Sequence, residues 1–565
     1  MLTAKLKSNK YKKAKKQKGQ ETPTLSLKER LAQKRKAAQQ RKEFTNFLTT
    51  AAFGGIFFGI LMAFVGGIKA AVPGLLGIVT IALSYKYPRQ ALFAFLIYVP
   101  FAGTITYYLG NSPILQLAKD SFYIPALIGL WQMCRKQRLP LIVPQAIKTP
   151  LFILLGICLL TLVFVNGAQQ LNPSLTQLLN DTTTEIPIGV GILGLKVLLG
   201  YVPLIGCAYY LIRNQRDFLF LSRLQIVLIL ACCAMGLIQY VLLSKGICQG
   251  TRFLEGAAQF KASIEARCYF GGSLIYSPDQ GIIRLPGTFV APWQWGWFLI
   301  SSIFFAFASG FSDPSRIWRV LSLSSMAAVM INAIVSGQRI ALALVPLCFV
   351  VLLLLTGQIR NLKRFMPIGV GLAMILGFAI IKNPEIFQQR TASLNERWEA
   401  SPPLEFITQQ FANVWRNLEP LGHGLGRATN SARVLGSTRL IETYYPKIIY
   451  EIGPLGLLGF LALVTTLTIV CFQTYRSIRN PNLRSYAAAL WVFILFISYN
   501  TYYYPLDVDP IAVYYWFFAG VLLKLPEIDK QERLQQAQVK KKQGKKNRGK
   551  GVRERGIEEA GENSF

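Results

Sequence analysis

Apolar blocks of roughly 17–25 residues recur along the whole chain, separated by polar stretches. A helix needs about 20 such residues to cross some 30 Å of hydrocarbon, and inside a bilayer only helices or closed barrels pair every backbone polar group. A soluble core would run polar faces through these blocks. The pattern therefore predicts an all-α polytopic membrane protein, and a composition of 52% hydrophobic against 16% charged residues agrees with it. Fourteen spans are expected, near 46–66, 70–85, 90–109, 113–133, 150–166, 187–212, 224–244, 291–309, 317–335, 340–356, 365–382, 447–473, 485–503 and 510–525. The fourth contains Lys119 and Asp120, and charges within a span face the protein interior or a cavity.

Loop charge sets the expected sidedness. With a cytoplasmic N-terminus, the inner loops hold KYPR, CRKQR, RNQRDFLFLSR, DPSRIWR, GQIRNLKRF and TYRSIRNPNLR, each more basic than acidic. That is the positive-inside pattern. The outer side receives Asp181, Glu185, Asp507, Asp509 and two long segments, 245–290 and 383–446. In the second of these, six arginines are balanced by six glutamates. Lys69 and Arg339, in short outer turns, are the exceptions. An even number of spans returns the C-terminus to the cytoplasm, so the expected organisation is a basic tail (1–44), a transmembrane domain (45–525) and a second basic tail (526–565).

A net charge of +34 raises nucleic acid as a partner, but position argues otherwise. Fifteen Lys and Arg stand against three acids in the first 44 residues, and the C-terminal tail adds KKKQGKKNRGK. Basic tails flanking membrane spans meet anionic lipid, so lipid is the expected partner and nucleic acid is not. The long basic N-terminal region lacks a small-residue cleavage site, which makes the first apolar block a permanent anchor. The nine cysteines form no C-x-x-C pair, and most lie inside apolar blocks, so no metal site is expected. Cys248 and Cys268 share an outer loop, where oxidising conditions favour a disulfide.

Three outward stretches carry candidate chemistry: RLPGTFVAPWQWGWF (284–298), SGQR (336–339), and EPLGHGLGRATNSARVLGSTRLIETYYPKIIYEIGPLGLLGFL (419–461). Long loops in compact proteins are disproportionately functional. In order, sidedness and spacing these stretches resemble the O-antigen ligase and polymerase superfamily of bacterial membrane proteins. The resemblance lies in an Arg-x-x-Gly-x-Phe segment before a span (Arg284, Gly287, Phe289) and a small-residue–Arg turn between spans (SGQR). It extends to a Gly-x-Gly loop followed by a polar residue, Tyr, Glu and Gly-x-x-Gly (Gly424, Gly426, Glu442, Tyr445, Glu451, Gly453, Gly456). It covers roughly residues 284–461.

The resemblance implies a C-type glycosyltransferase of the bacterial plasma membrane that needs neither metal nor cofactor. Such an enzyme takes a glycan from a polyprenyl diphosphate carrier at the outer face and passes it to a glycan, lipid or protein acceptor. Arg284 and Arg339 would then hold the diphosphate, Glu442 would activate the acceptor hydroxyl, and Arg439, His423 and Tyr445 would line the substrate site. The chemistry is compatible. A diphosphate leaving group gains charge as the sugar bond breaks, and guanidinium forks reach two of its oxygens at once. Ligases of the superfamily carry a His-Asn pair where this chain reads Glu442-Thr443; a carboxylate can also act as general base. That departure favours polymerisation or another transfer over lipid A core ligation.

Each residue has a plainer role available. Arg339 can anchor a span end, Arg284 can pair with Asp279, Glu442 with Arg439 or Lys447, and Arg439 with solvent. Glu451 reads as a structural contact, and the aromatics of APWQWGWF and ETYYPKIIY also suit an interfacial belt. Lys196, deep in LGLKVLLG, suggests a functional position without saying which. A small-anion transporter using Arg284 and Arg339 is the alternative reading, although no internal repeat of the kind common in transporters is visible. A scaffold acting through the basic tails is a third.

Overall fold

The computed structural model describes residues 27–109, 118–171, 185–260, 263–277, 281–359, 384–400 and 402–562, with single positions 370, 377 and 381. The chain forms two compact units, Met1–Lys86 and Tyr87–Phe565. The first consists of α1 (Leu27–Gly66) and α2 (Ile68–Lys86). Phe53, Phe57 and Phe64 of α1 and Ile68 of α2 are exposed, the surface a lipid-facing helix pair presents.

The second unit runs through α3 (Pro88–Tyr108), α4 (Asp120–Gln137), α5 (Lys148–Thr161), a π-helical stretch (Leu162–Asn166) and α6 (Gly167–Leu171). Next come α7 (Pro187–Leu199), α8 (Leu204–Leu211) and α9 (Gln215–Ser244), followed by strands β1 (Ile275–Ser277) and β2 (Ile282–Arg284). Helices α10 (Pro292–Ser312), α11 (Arg316–Val335), α12 (Arg339–Leu355), α13 (Pro384–Ala400) and α14 (Pro403–Trp415) lead to α15 (Tyr444–Ser477), α16 (Pro481–Tyr499) and α17 (Ile511–Glu562).

The expected all-α architecture is present: among the described residues, nine helices are long and apolar enough to span a bilayer, or ten if the bent pair α7–α8 is one span. Thirteen of the fourteen expected spans overlap described helix, and the expected count of fourteen goes beyond the nine or ten helices that are long and apolar enough. The exception, 365–382, lies almost wholly outside the described residues. Of the fourth, 113–117 lie outside the described residues and α4 runs from Asp120 to Gln137, and α12 is a shorter apolar helix of 17 residues.

Which helices are central follows from apolar character all round. The most apolar stretch of α10 is 94% buried and that of α17 83%, against 39% for α9 and 28% for the segment containing α5. Phenylalanines interlock at the centre: the Phe305 and Phe518 rings lie 4.2 Å apart, and Phe304 meets Phe493 edge-on at 5.2 Å.

Two helices are broken. A bend of 41° separates α7 from α8. Within α15, Gly453 leaves the helical region (φ 71°, ψ 179°) and is followed by Pro454. A side chain there would stand 2.1 Å from Pro420 O, so the first glycine of the Gly-x-x-Gly motif serves close packing of the segment before α15 on that helix. In the segment between α9 and α10, Cys248 and Cys268 form the expected disulfide with Cα atoms 5.6 Å apart. Beyond it, β1 and β2 pair antiparallel with Ile275 opposite Arg284.

Candidate functional site

Arg284 ends β2 and is half-buried. The next N–H, that of Leu285, donates to Ser336 O across 2.9 Å, which staples the first sequence motif to the SGQR turn 51 residues away. Downstream of the staple, Gln239 grips Gly287: its Oε1 accepts from Gly287 N at 3.1 Å, while its Nε2 donates to Phe270 O at 2.8 Å. In the turn itself, Gly337 sits at φ 71° and the Gln338 N–H donates to Ser336 Oγ at 3.2 Å. Arg339, half-buried, then opens α12. Covalent reach through this staple holds the Cα atoms of Arg284 and Arg339 within about 19 Å of each other.

The second turn of α10 borders both this turn and the Tyr503–Tyr504 segment. Gly296 faces Gln338, and the indole of Trp297 donates to Tyr503 O at 3.3 Å. Tyr503 precedes Tyr504, whose hydroxyl accepts from Asn430 Nδ2 at 3.5 Å. Burial pushes the Tyr504 phenol up to about 12, and the nearby Glu442 carboxylate pushes the same way. Glu442 is half-buried, and among the described residues it forms no ion pair. Its expected plain partner Lys447 is engaged elsewhere, 2.5 Å from Asp507 and 3.9 Å from Glu451. Arg439 is exposed, its guanidinium 5.4 Å over the Tyr450 ring and its N–H on Arg427 O. Asp279, the plain partner considered for Arg284, lies outside the described residues.

Two of the expected substrate-site residues have their polar groups occupied inside the fold. His423 packs on Tyr450 (ring centroids 4.5 Å apart), and its Nε2 lies 2.9 Å from Asn417 O. The Tyr445 hydroxyl donates to Ser498 O at 2.8 Å, binding α15 to α16. Glu451 behaves as a structural contact, accepting from Ala428 N at 2.8 Å and Thr429 Oγ1 at 2.9 Å. These bonds lock the Gly-rich loop against α15.

Several charged residues that the sequence left without a partner form pairs between distant segments. Arg427 donates to Gln169 Oε1 through Nε and Nη2 (3.0 and 2.8 Å) and to Glu185 through Nη1 (3.0 Å). Burial raises the Glu185 carboxyl, but hydrogen bonds from Ser437 and Arg427 outweigh it and hold the group below the usual glutamate range. Lys196 pairs with Asp120 at 2.8 Å, and Lys119 pairs with Asp509. Both lysines lie within 6 Å of the Tyr201 ring centroid, beside the break between α7 and α8. The two aspartates of the DVD turn thus meet lysines on different elements, Asp507 with Lys447 and Asp509 with Lys119. The depth of Lys119, Asp120 and Lys196 in apolar sequence was the only signal of this cluster.

In chemical terms the N-terminal part of α10 lies beside the SGQR turn and the Tyr503–Tyr504 segment. Arg284 and Arg339 are linked through the Leu285–Ser336 bond, and among the described residues the Glu442 carboxylate forms no ion pair. In comparison with known proteins, no family model matches the chain and none of the curated proteins is similar to it.

Proposed function

We propose that the chain transfers or polymerises a polyprenyl diphosphate-linked glycan at the outer face of a bacterial plasma membrane. In this reading fourteen spans leave both basic tails in the cytoplasm against anionic lipid. The observation that carries the proposal is the staple from Leu285 N–H to Ser336 O, which ties Arg284 and Arg339 to one rim. Fixed guanidinium groups there would stabilise the charge that develops on a departing diphosphate. Glu442, reached across Trp297 and the Tyr503–Tyr504 segment, is the candidate base for the acceptor hydroxyl. Arg439, exposed over the Tyr450 ring, would meet carbohydrate. His423 and Tyr445 act as positioning residues, since their polar groups hold loop and helix in place.

One observation favours the alternative, transport of a small anion. Broken helices often frame transporter sites, and the α7–α8 bend carries Lys196, Asp120, Lys119 and Asp509. In that case the cations would be these lysines instead of Arg284 and Arg339.

The test is complementation of a deletion strain, scoring surface polysaccharide alongside protein abundance. Arg339→Ala is expected to be near null. Arg339→Lys keeps the charge but loses the fork, and should lose most activity. Glu442→Gln should stop transfer while carrier binding persists. Normal polysaccharide from Arg339→Ala at normal abundance would overturn the proposal.

A further inference from the structure

We infer that Gln338 is a third ligand of the carrier diphosphate, donating from its side-chain amide beside Arg339; this rests on the glycan-transfer reading above. Gln338 stands at the N-cap of α12, a 17-residue helix, and is only 6% exposed. Residues in this position ordinarily turn a side-chain oxygen back onto the first N–H groups of the helix. Gln338 makes no such bond. Among the described residues no acceptor meets its Nε2 either.

A buried amide left unpaired is costly, so a native protein keeps one where something else satisfies it. The first intrahelical bond of α12 is Leu342 N–H to Gln338 O at 3.0 Å. The N–H groups of Arg339, Ile340 and Ala341 are therefore not used by the helix itself. An amide NH2, a guanidinium and a helix N-terminus are all donors, and the helix dipole adds positive potential. Their common complement is an acceptor-rich anion, which phosphate oxygens supply. The turn is also held in place: Ser336 accepts from Leu285 on one side, and the Cβ and Cγ of Gln338 pack beside Gly296 of α10 on the other. A fixed donor gains binding energy because little ordering is left to be done when the ligand arrives.

The experiment uses the full chain in lipid nanodiscs, with farnesyl diphosphate and farnesyl monophosphate as probes. Gln338→Met keeps side-chain length and volume but removes the donor. It should weaken farnesyl diphosphate at least about tenfold, the scale of one hydrogen bond to a charged group. The monophosphate should lose about threefold or less, because one phosphate is still held by the arginines and the helix end. Gln338→Glu, of the same shape but presenting a carboxylate, should abolish diphosphate binding. The unliganded Gln338→Met protein should melt no lower than wild type, since it no longer buries an unpaired amide.

Two results would overturn the inference: wild-type diphosphate affinity in Gln338→Met, or a lower melting temperature or failed folding of that variant, which would mark a structural role. Arg339→Ala separates the two levels of the argument. If it abolishes binding while Gln338→Met does not, only the role of Gln338 falls. If neither variant changes binding, the diphosphate reading of this rim falls with it.

Discussion

Lys447→Met should be among the most damaging single substitutions in the second unit, for reasons unrelated to catalysis. Lys447 and Asp507 each have side chains 5% exposed and stand 2.5 Å apart. Glu451, equally buried, lies 3.9 Å from the same ammonium. Removing the lysine leaves two carboxylates buried in one pocket. Breaking a buried pair from one side costs about 3–5 kcal/mol, and serving two carboxylates puts this case toward the upper end. Asp507→Asn should cost less, because the ammonium retains Glu451. In the double variant the remaining carboxylate, Glu451, still accepts from Ala428 N–H and the Thr429 hydroxyl, so the loss should fall to about 1–2 kcal/mol. The double-mutant cycle should therefore show a coupling energy of at least about 1.5 kcal/mol. Equilibrium unfolding in mixed detergent–SDS micelles, followed by tryptophan fluorescence, measures all four corners. Single-mutant losses that add to the double within about 0.5 kcal/mol would show that the pair is not coupled, and would refute the reasoning.

The Glu185–Arg427 contact gives a pH dependence of defined sign. The folded carboxyl titrates below its usual value of 4.5, so between the two values the unfolded chain binds more protons and stability rises with pH. Wild type should exceed Glu185→Gln by a constant margin above that value and lose the margin as pH falls through the lowered folded value; a margin that grows on acidification would contradict the assignment. For sidedness, Ala428 is buried, so a reporter cysteine belongs at exposed Val434, paired with one at Arg138. A membrane-impermeant thiol reagent applied to whole cells should label the first and miss the second, and the reverse pattern would sink the topology and the site built on it.

The apolar blocks alone were enough to place helices, because hydrocarbon thickness sets a length and composition that each segment satisfies locally. The same locality made the Cys248–Cys268 link and the internal facing of Lys119 and Asp120 legible, since one loop or one span contains the whole signal. The motifs around Arg284, the SGQR turn and Glu442 stood out in the sequence, but the bond from Leu285 to Ser336 that joins the first two did not. The burial of Gln338 and the lack, among the described residues, of an acceptor for its Nε2 were not legible, since neither is written in a tetrapeptide.

Pairings needed the packed structure. Lys119 meets Asp509 across 390 positions, and Arg427 meets Glu185 across 242. A segment's hydropathy says that a charge must find a partner, but it does not say which helix will bring one. His423 and Tyr445 show the same division: their residue types suggested a substrate site, and their neighbours Tyr450, Asn417 and Ser498 took up their polar groups. Membrane insertion is decided segment by segment, through transfer free energy summed along about 20 residues. Charge pairing and site geometry are decided between segments, by which helix faces pack closely enough to bring their side chains within hydrogen-bonding distance.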